Sequence, residues 1–503
     1  MSVAQVETTL GVIAGEELEG IRVFRGIPYA QPLDGLWRVR APRPVQAWDG
    51  VLQARDWAPA APQEHVSMMG VGETGEACLA LNIWCPAVVV SPVPVMVWIH
   101  GGGFLNGAGH QALYDATALA RENGVIVVTF NYRLGILGFG EWSEWPELEA
   151  VSNAGLRDQL LALHWVQSHI AAFGGDPARV TVFGESAGGM SIACLLASPA
   201  AKGLFQRAII QSGSPDHVVT QEEAARMTRR FAEAAGDVKA CLTGSLKDLV
   251  RAQRACLSTT VNRGVHEHPV PQFGMTLLPR LGDDILPEHP LVALARGVSS
   301  DIPLMVGTTL DEWRLFYMSP QATGQKPRGE PDEERLQHEF ERSLPVQGAD
   351  MLERYRALLP DLSPGELFCA FETDRMFRVP TLRLAEARFG QDAPTWHYLF
   401  DWPCAWDARL GSCHVMEIPF VFGITDKPTG QFFTGGGAAA AALSVRIRAA
   451  WSRFAAGDVP AAEGWPEWAP YEATDRFTLL IAAESRLLDD PESARRQLWQ
   501  GIL

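Results

Sequence analysis

Apolar and polar positions change their period along the chain. Between about residues 93 and 215, the short apolar runs VPVMVWI, VIVVTF, RVTVF and RAIIQ are rich in β-branched residues and separated by longer segments. Continuous apolar runs alternating with helix-length segments predict a mostly parallel sheet covered by helices on both faces. One of those segments reads in detail. In NAGLRDQLLALHWVQSHIAAFGGD, Leu156, Leu160, Leu163, Val166, Ile170 and Phe173 recur at helical spacing, with Asn153 at the N-cap position and Gly174 and Gly175 as the stop.

From about 218 to 300, and again from 320 to 385, the pattern turns mainly helical, with charged stretches such as QEEAARMTRRFAEAAG and PDEERLQHEFERSL. Strand-like runs resume at IPLMVG and PTWHYLF. Both segments are therefore expected as helical insertions packed around the active-site side of one domain spanning residues 1–503. The run FFTGGGAAAAALSVRIRAAWSRFAAGD predicts a glycine turn leading into an Ala-rich helix, and neither an internal repeat nor a Gly/Ser- or Pro-rich linker interrupts the chain.

Composition narrows the class. The 503 residues are 47% apolar and 20% charged, an ordinary globular balance. Acidic residues outnumber Lys plus Arg by 59 to 42, and the formal charge of -17 disfavours nucleic acid and anionic lipid as partners. A neutral or cationic small ligand suits that field better. No apolar run approaches the ~18 residues of a membrane span, and the N-terminal stretch lacks a basic start followed by an apolar core, so a cytoplasmic location is expected. Eight cysteines show neither zinc-like nor C-x-x-C spacing and are expected as reduced, mostly buried thiols, with no metal site.

The chemistry concentrates at VTVFGESAGGM. Gly184-x-Ser186-x-Gly188 follows a strand-like run and precedes a helical one, the context of a nucleophile elbow. Ala187 N–H, at the start of that helix, would face a developing oxyanion. His100-Gly101-Gly102-Gly103 ends another strand and offers further backbone donors, while lacking the Lys-Ser/Thr ending of a phosphate-binding loop. A serine hydroxyl needs a base oriented by a carboxylate. The chain order Ser, acid, His leaves His266, His268, His289, His338, His397 and His414 as possible bases.

The segments FRGIPYAQP, CLALNIWCP, WIHGGGF, NYRLGILGF, VTVFGESAGG, AIIQSGS, GTTLDEW, HVMEIPFVFG and WPEWAPY run nearly end to end in a pattern that resembles the type-B carboxylesterase family. This is the cholinesterase-like branch of the α/β hydrolases, and the likeness is greatest to its bacterial para-nitrobenzyl esterase members. The resemblance implies an α/β-hydrolase fold, with a large mixed, mostly parallel central sheet flanked by helices. It implies Ser186 as nucleophile, Glu312 as acid and His414 as base, with Gly102, Gly103 and Ala187 as oxyanion donors and Glu185 and Ser212 in support. Trp313 and Val415 stand where the family usually has glycine and a small residue; Asp311 is the alternative acid, and Phe104 and Trp313 are expected pocket walls.

The implied activity is hydrolysis of carboxylic esters, short- to medium-chain acyl or aryl, through an acyl-enzyme. A small-molecule ester is the expected partner, with no nucleic acid, membrane or cofactor, and the chain is expected to be a monomer. The same triad could instead serve amides, thioesters or acyl transfer. A non-catalytic binding protein of this fold would typically have lost the serine.

Overall fold

The computed structural model describes residues 2–65, 70–260, 275–318 and 329–503. His266 and His268 lie outside the described residues. A 13-stranded sheet runs through the molecule. Its strands are β1 (Ser2–Thr8), β2 (Gly11–Leu18), β3 (Ile21–Pro28), β4 (Val51–Gln53), β5 (Ala80–Pro86), β6 (Val93–Ile99) and β7 (Ile126–Phe130). They continue as β8 (Gly175–Glu185), β9 (Arg207–Gln211), β10 (Leu304–Thr309), β11 (Thr395–Phe400), β12 (Phe477–Ile481) and β13 (Arg486–Asp489). The spatial order is β1-β2-β3-β5-β7-β6-β8-β9-β10-β11-β12-β13, with β4 beside β2. Along that order every neighbouring pair from β7 to β12 is parallel, whereas the pairs from β1 to β7 and the β12–β13 pair at the opposite edge are antiparallel; β4 runs parallel to β2.

The apolar runs of the sequence are the buried centre of this sheet. Along β6, Val95, Val97 and Ile99 enter one hydrophobic cluster while Met96 and Trp98 enter another, so the two-residue period divides the strand between the two faces. Helices fill both sides. The helix Ala154–His169 and the turn after it bury Leu156, Leu160, Leu163, Val166, Ile170 and Phe173, all at 6% exposure or less. The Ala-rich run forms the helix Gly437–Ala456, behind a glycine turn.

Asn153 departs from the expected capping role. It occupies the N-cap position at φ 50° without a side-chain cap bond. Its amide instead pairs with the backbone of Arg280 in both directions, at 2.8 Å each, and donates to Asp283. A contact 127 residues away thus outweighs the local one.

The charged stretches are helical: Gln221–Ala235, Val238–Thr243 and Leu246–Thr260, then Glu333–Ser343, Gly348–Leu358 and Pro364–Thr373. Two of these helices begin with reciprocal capping boxes, Thr220 with Glu223 and Ser363 with Glu366. After Thr373 the chain widens into a π-helical turn, Asp374–Arg378. Arg495 near the C-terminus holds that turn through Asp374, at 2.8 Å from each oxygen.

Arg133 ties β7 to the helix behind it. Its Nε and Nη2 donate to Asp158 at 2.8 and 2.7 Å, Nη1 donates to the carbonyls of Arg38 and Arg40, and neither partner of the ion pair has exposed surface. Asp158→Ala would strand a buried guanidinium, and we expect a loss of about 3–5 kcal/mol of stability. Chemical denaturation of the two proteins checks this, and an unchanged midpoint would contradict it.

Candidate active site

β8 ends at Glu185, and Ser186 then adopts φ 55° and ψ -125° before the helix Ala187–Ala197 begins. That backbone conformation is strained for a residue with a side chain. It persists because both sides are held: Ser186 N–H donates to Gln211 O (2.9 Å), and Met190 N–H donates to Ser186 O (2.8 Å). The helix also presses against the end of β6. A Cβ on Gly188 would run into the Ile99 carbonyl, so only glycine fits there. The serine side chain is left at the apex, with Ser186 8% exposed.

The glycines after β6 form the opposing wall. Gly102 has φ 110°, and its carbonyl accepts from Leu105 N–H (3.1 Å) and Asn106 N–H (3.0 Å) in a tight turn. Among the described residues, the N–H groups of Gly102, Gly103 and Ala187 have no protein acceptor. The N-terminal end of the helix adds partial positive charge beside them.

Glu312 follows β10 and has no exposed surface. Its Oε1 accepts from Ser212 Oγ (2.5 Å) and Thr309 N–H (2.8 Å), and its Oε2 lies 2.5 Å from His414 Nδ1. The other ring nitrogen, Nε2, lies 2.9 Å from Glu185 Oε1, an ion-pair contact. Burial alone would lower the histidine pKa, but the charges of Glu185 and Glu312 outweigh it, and the net shift is well above the ordinary value. One turn on, Glu417 is buried, and among the described residues neither of its oxygens has a hydrogen-bond partner. Burial, together with the charges of Glu312 and Glu185, pushes its carboxyl up to about 8, so at neutral pH it is mostly protonated.

The other candidates separate by position. Asp311 accepts from Ser412 N–H (3.0 Å) and pairs with Arg314, so it faces away from the ring. His397 is buried against Thr478 (3.0 Å) and pushed down to about 3 by burial; His338 is exposed on its helix; His289 caps another helix. Of the described histidines in the C-terminal part, His414 is the one placed between Glu312 and Glu185.

Rings that touch His414 are Phe316 (5.1 Å) and Phe377 (4.9 Å), the latter carried by the π-helical turn. Trp313 stands behind them, its ring 5.0 Å from Phe316 and its backbone N–H donating to Thr373 Oγ1 (3.0 Å). Phe104 has no exposed surface and meets Phe139 edge-on at 4.8 Å. Partly exposed side chains nearest the glycines are Leu105 and Met275, whose thioether would lie 3.7 Å from a Cβ on Gly103. Val415, directly after the histidine, has φ 71°, an outlier for a β-branched residue.

Glu417 and Phe377 were not singled out by the sequence reading. Glu417 had a local signal, a carboxylate three residues after a histidine and directly before the apolar run IPFVF. Among the described residues, no group of three or more His, Cys, Asp or Glu could hold a metal, and no helix is long and apolar enough to cross a membrane. A separate cleft of about 890 Å³, lined in part by Arg25, Trp57, Trp84, His110 and Lys427, includes neither Ser186 nor His414.

Residues 2–499 match the profile of the carboxylesterase family. The chain is 38% identical to the para-nitrobenzyl esterase of Bacillus subtilis (strain 168), over 98% of its own length and 97% of that protein's. It is 32% identical to the phenmedipham hydrolase of Pseudarthrobacter oxydans, with 95% and 94% covered. Among solved structures, a PNB esterase superposes with a TM-score of 0.84 at 37% identity, covering 99% of both chains.

Two carboxylates face one imidazole, so removing one charge has a defined sign. In Glu185→Gln the imidazolium loses a stabilising neighbour, and the His414 titration, followed by NMR of the ring protons, is expected to move to lower pH. A midpoint that stays in place would mean that the Glu185 charge does not act on the ring.

Proposed function

The chain belongs to the carboxylesterase family and is a carboxylic ester hydrolase, and from that premise we propose that it works through Ser186, His414 and Glu312. The 2.5 Å contact of His414 Nδ1 with Glu312, together with the strained turn that presents Ser186 directly after Glu185, carries the reading. Ser186 Oγ attacks the ester carbonyl carbon, and its proton passes to His414 Nε2. That nitrogen faces Glu185 in the resting site. Because Glu185 directly precedes the serine, reaching the hydroxyl is a change of partner within one site. Glu312 fixes the ring through Nδ1 and offsets the imidazolium charge, while Ser212 and Thr309 fix Glu312.

The tetrahedral oxyanion is received by Gly102, Gly103 and Ala187 N–H, each such donor typically contributing ~3 kcal/mol to the transition state. Collapse breaks the bond to the alcohol oxygen, which takes the proton from Nε2 and leaves an acyl-enzyme. Water then repeats the sequence: its proton goes to His414, the acid departs, and Oγ recovers the proton.

Phe316 beside His414 and Met275 beside Gly103 are apolar and partly exposed, which favours uncharged acyl or aryl groups of short to medium length over charged ones. Eight free cysteines support a reducing compartment, the cytoplasm.

A p-nitrophenyl ester series of increasing acyl length tests both parts. Ser186→Ala should lower kcat by about 10⁴-fold or more with the protein still folded, and residual turnover near wild type would exclude the nucleophile. The acyl profile should peak at short to medium chains. Activity needs neutral His414, and its two carboxylate neighbours raise its pKa, so the acid limb of kcat/KM should lie above the ordinary histidine value of ~6.5. A flat profile down through that pH would contradict this role.

A further inference from the structure

The segment from Asp401 to His414 leaves β11, loops over the surface and returns to the site. Its base is closed by Cys404 N–H donating to Gly411 O (2.8 Å) and by Ser412 Oγ, which donates to Phe400 O (3.0 Å) and accepts from Trp402 N–H (3.1 Å). This closure brings the side chains of Cys404 and Cys413 into hydrogen-bonding contact. Cys413 immediately precedes His414. Its neighbour Ser412 is clamped to the acid loop, with Asp311 N–H on its carbonyl (2.9 Å) and its own N–H on Asp311 Oδ2 (3.0 Å).

We propose that Cys404 and Cys413 are an oxidisable dithiol, and that closing it into a disulfide displaces His414 and switches the hydrolase off. The switching part rests on His414 acting as the base; the dithiol itself does not.

Cys404 has the surroundings of a reactive thiolate. The Cys413 S–H donates to its sulfur, as do the backbone N–H groups of Asp407 and Trp406. The Cys413 contact foremost, with those N–H groups and against the effect of burial, brings its pKa down to about 6. Each of the other seven thiols is pushed up instead, six of them chiefly by burial and Cys413 chiefly by its contact with Cys404. Cys404 is itself buried, while its chain neighbours Pro403, Ala405 and Trp406 are exposed.

A hydroperoxide is the matching oxidant. The Cys404 thiolate attacks the peroxide oxygen, the O–O bond breaks, and with hydrogen peroxide the departing hydroxide takes up a proton as water. Cys413 sulfur then attacks the resulting sulfenic acid, its proton leaving with the second hydroxide as water. The balance is two thiols and one peroxide giving one disulfide and two waters. Drawing the Cys413 sulfur from contact to covalent distance pulls the residue next to His414, and the clamp at Ser412 prevents the loop from following as a rigid body. A ring displaced by about 1 Å can lose roughly 100-fold in rate.

Full-length protein is treated with hydrogen peroxide, assayed on a p-nitrophenyl ester, and mapped by non-reducing peptide mass spectrometry. The expected result is a Cys404–Cys413 peptide pair lacking two hydrogens, a fall in kcat of about tenfold to 100-fold as it accumulates, and recovery with dithiothreitol. Cys404→Ala should keep basal activity and resist inactivation. Absence of the linked pair in oxidised wild type, a measurement that needs no variant, would overturn the dithiol. A linked pair with unchanged activity, or inactivation of Cys404→Ala at the wild-type rate, would overturn the switch. Reduced His414→Ala separates the two readings: if it retains full activity, the assignment of the base fails while the disulfide mapping still stands.

Discussion

A carboxylate with no exposed surface stays ionised only if donors converge on it, because an unpaired buried charge is destabilising by several kcal/mol. Glu312 has no exposed surface, and its hydrogen-bond partners come from three places: the hydroxyl of Ser212 after β9, the backbone of Thr309 at the end of β10, and the ring of His414 beyond β11. Those strands are consecutive neighbours in the parallel part of the sheet. Parallel pairing sets their carboxyl ends side by side, and the buried charge then fixes how the loops that leave them must meet.

Negative charge accumulates around that point. Glu185 and Glu417 join Glu312 within reach of one imidazole, and three ionised carboxylates could not share so dry a space. The site resolves this by division. Glu312 is held by donors, Glu185 lies against the second ring nitrogen, and Glu417, with no partner, keeps its proton at neutral pH. The aromatic faces of Phe316 and Phe377 close the ring off from the helical side.

Much of this was legible in the chain. Apolar runs marked β6 to β11, because strands buried on both faces carry their own signal, and the small residues around Ser186 and after His100 marked the turns where backbone approaches backbone. Glu312 and His414 were reachable through family resemblance, since no local pattern distinguishes His414 from His397. The N-terminal ladder was less visible, its strands being half-exposed and short of continuous apolar runs. Asn153 shows the limit of local rules: cap chemistry was present, and a loop 127 residues on took the side chain instead. Phe104 and Trp313 were expected as walls because they adjoin functional positions, yet neighbours in sequence point in different directions, and the rings that reach the histidine come from Phe316 and from a π-helical turn that periodicity does not encode.

Val415 has a mechanical consequence. A β-branched residue at φ 71° stores on the order of 1–3 kcal/mol, and the relaxed backbone of the loop is therefore not the one that sets the imidazole against Glu312. The ring is held as a latch holds a spring, by its contacts with Glu312 and Glu185. Loss of those contacts releases the loop as well as the ring, so backbone geometry and ring position at this site fail together.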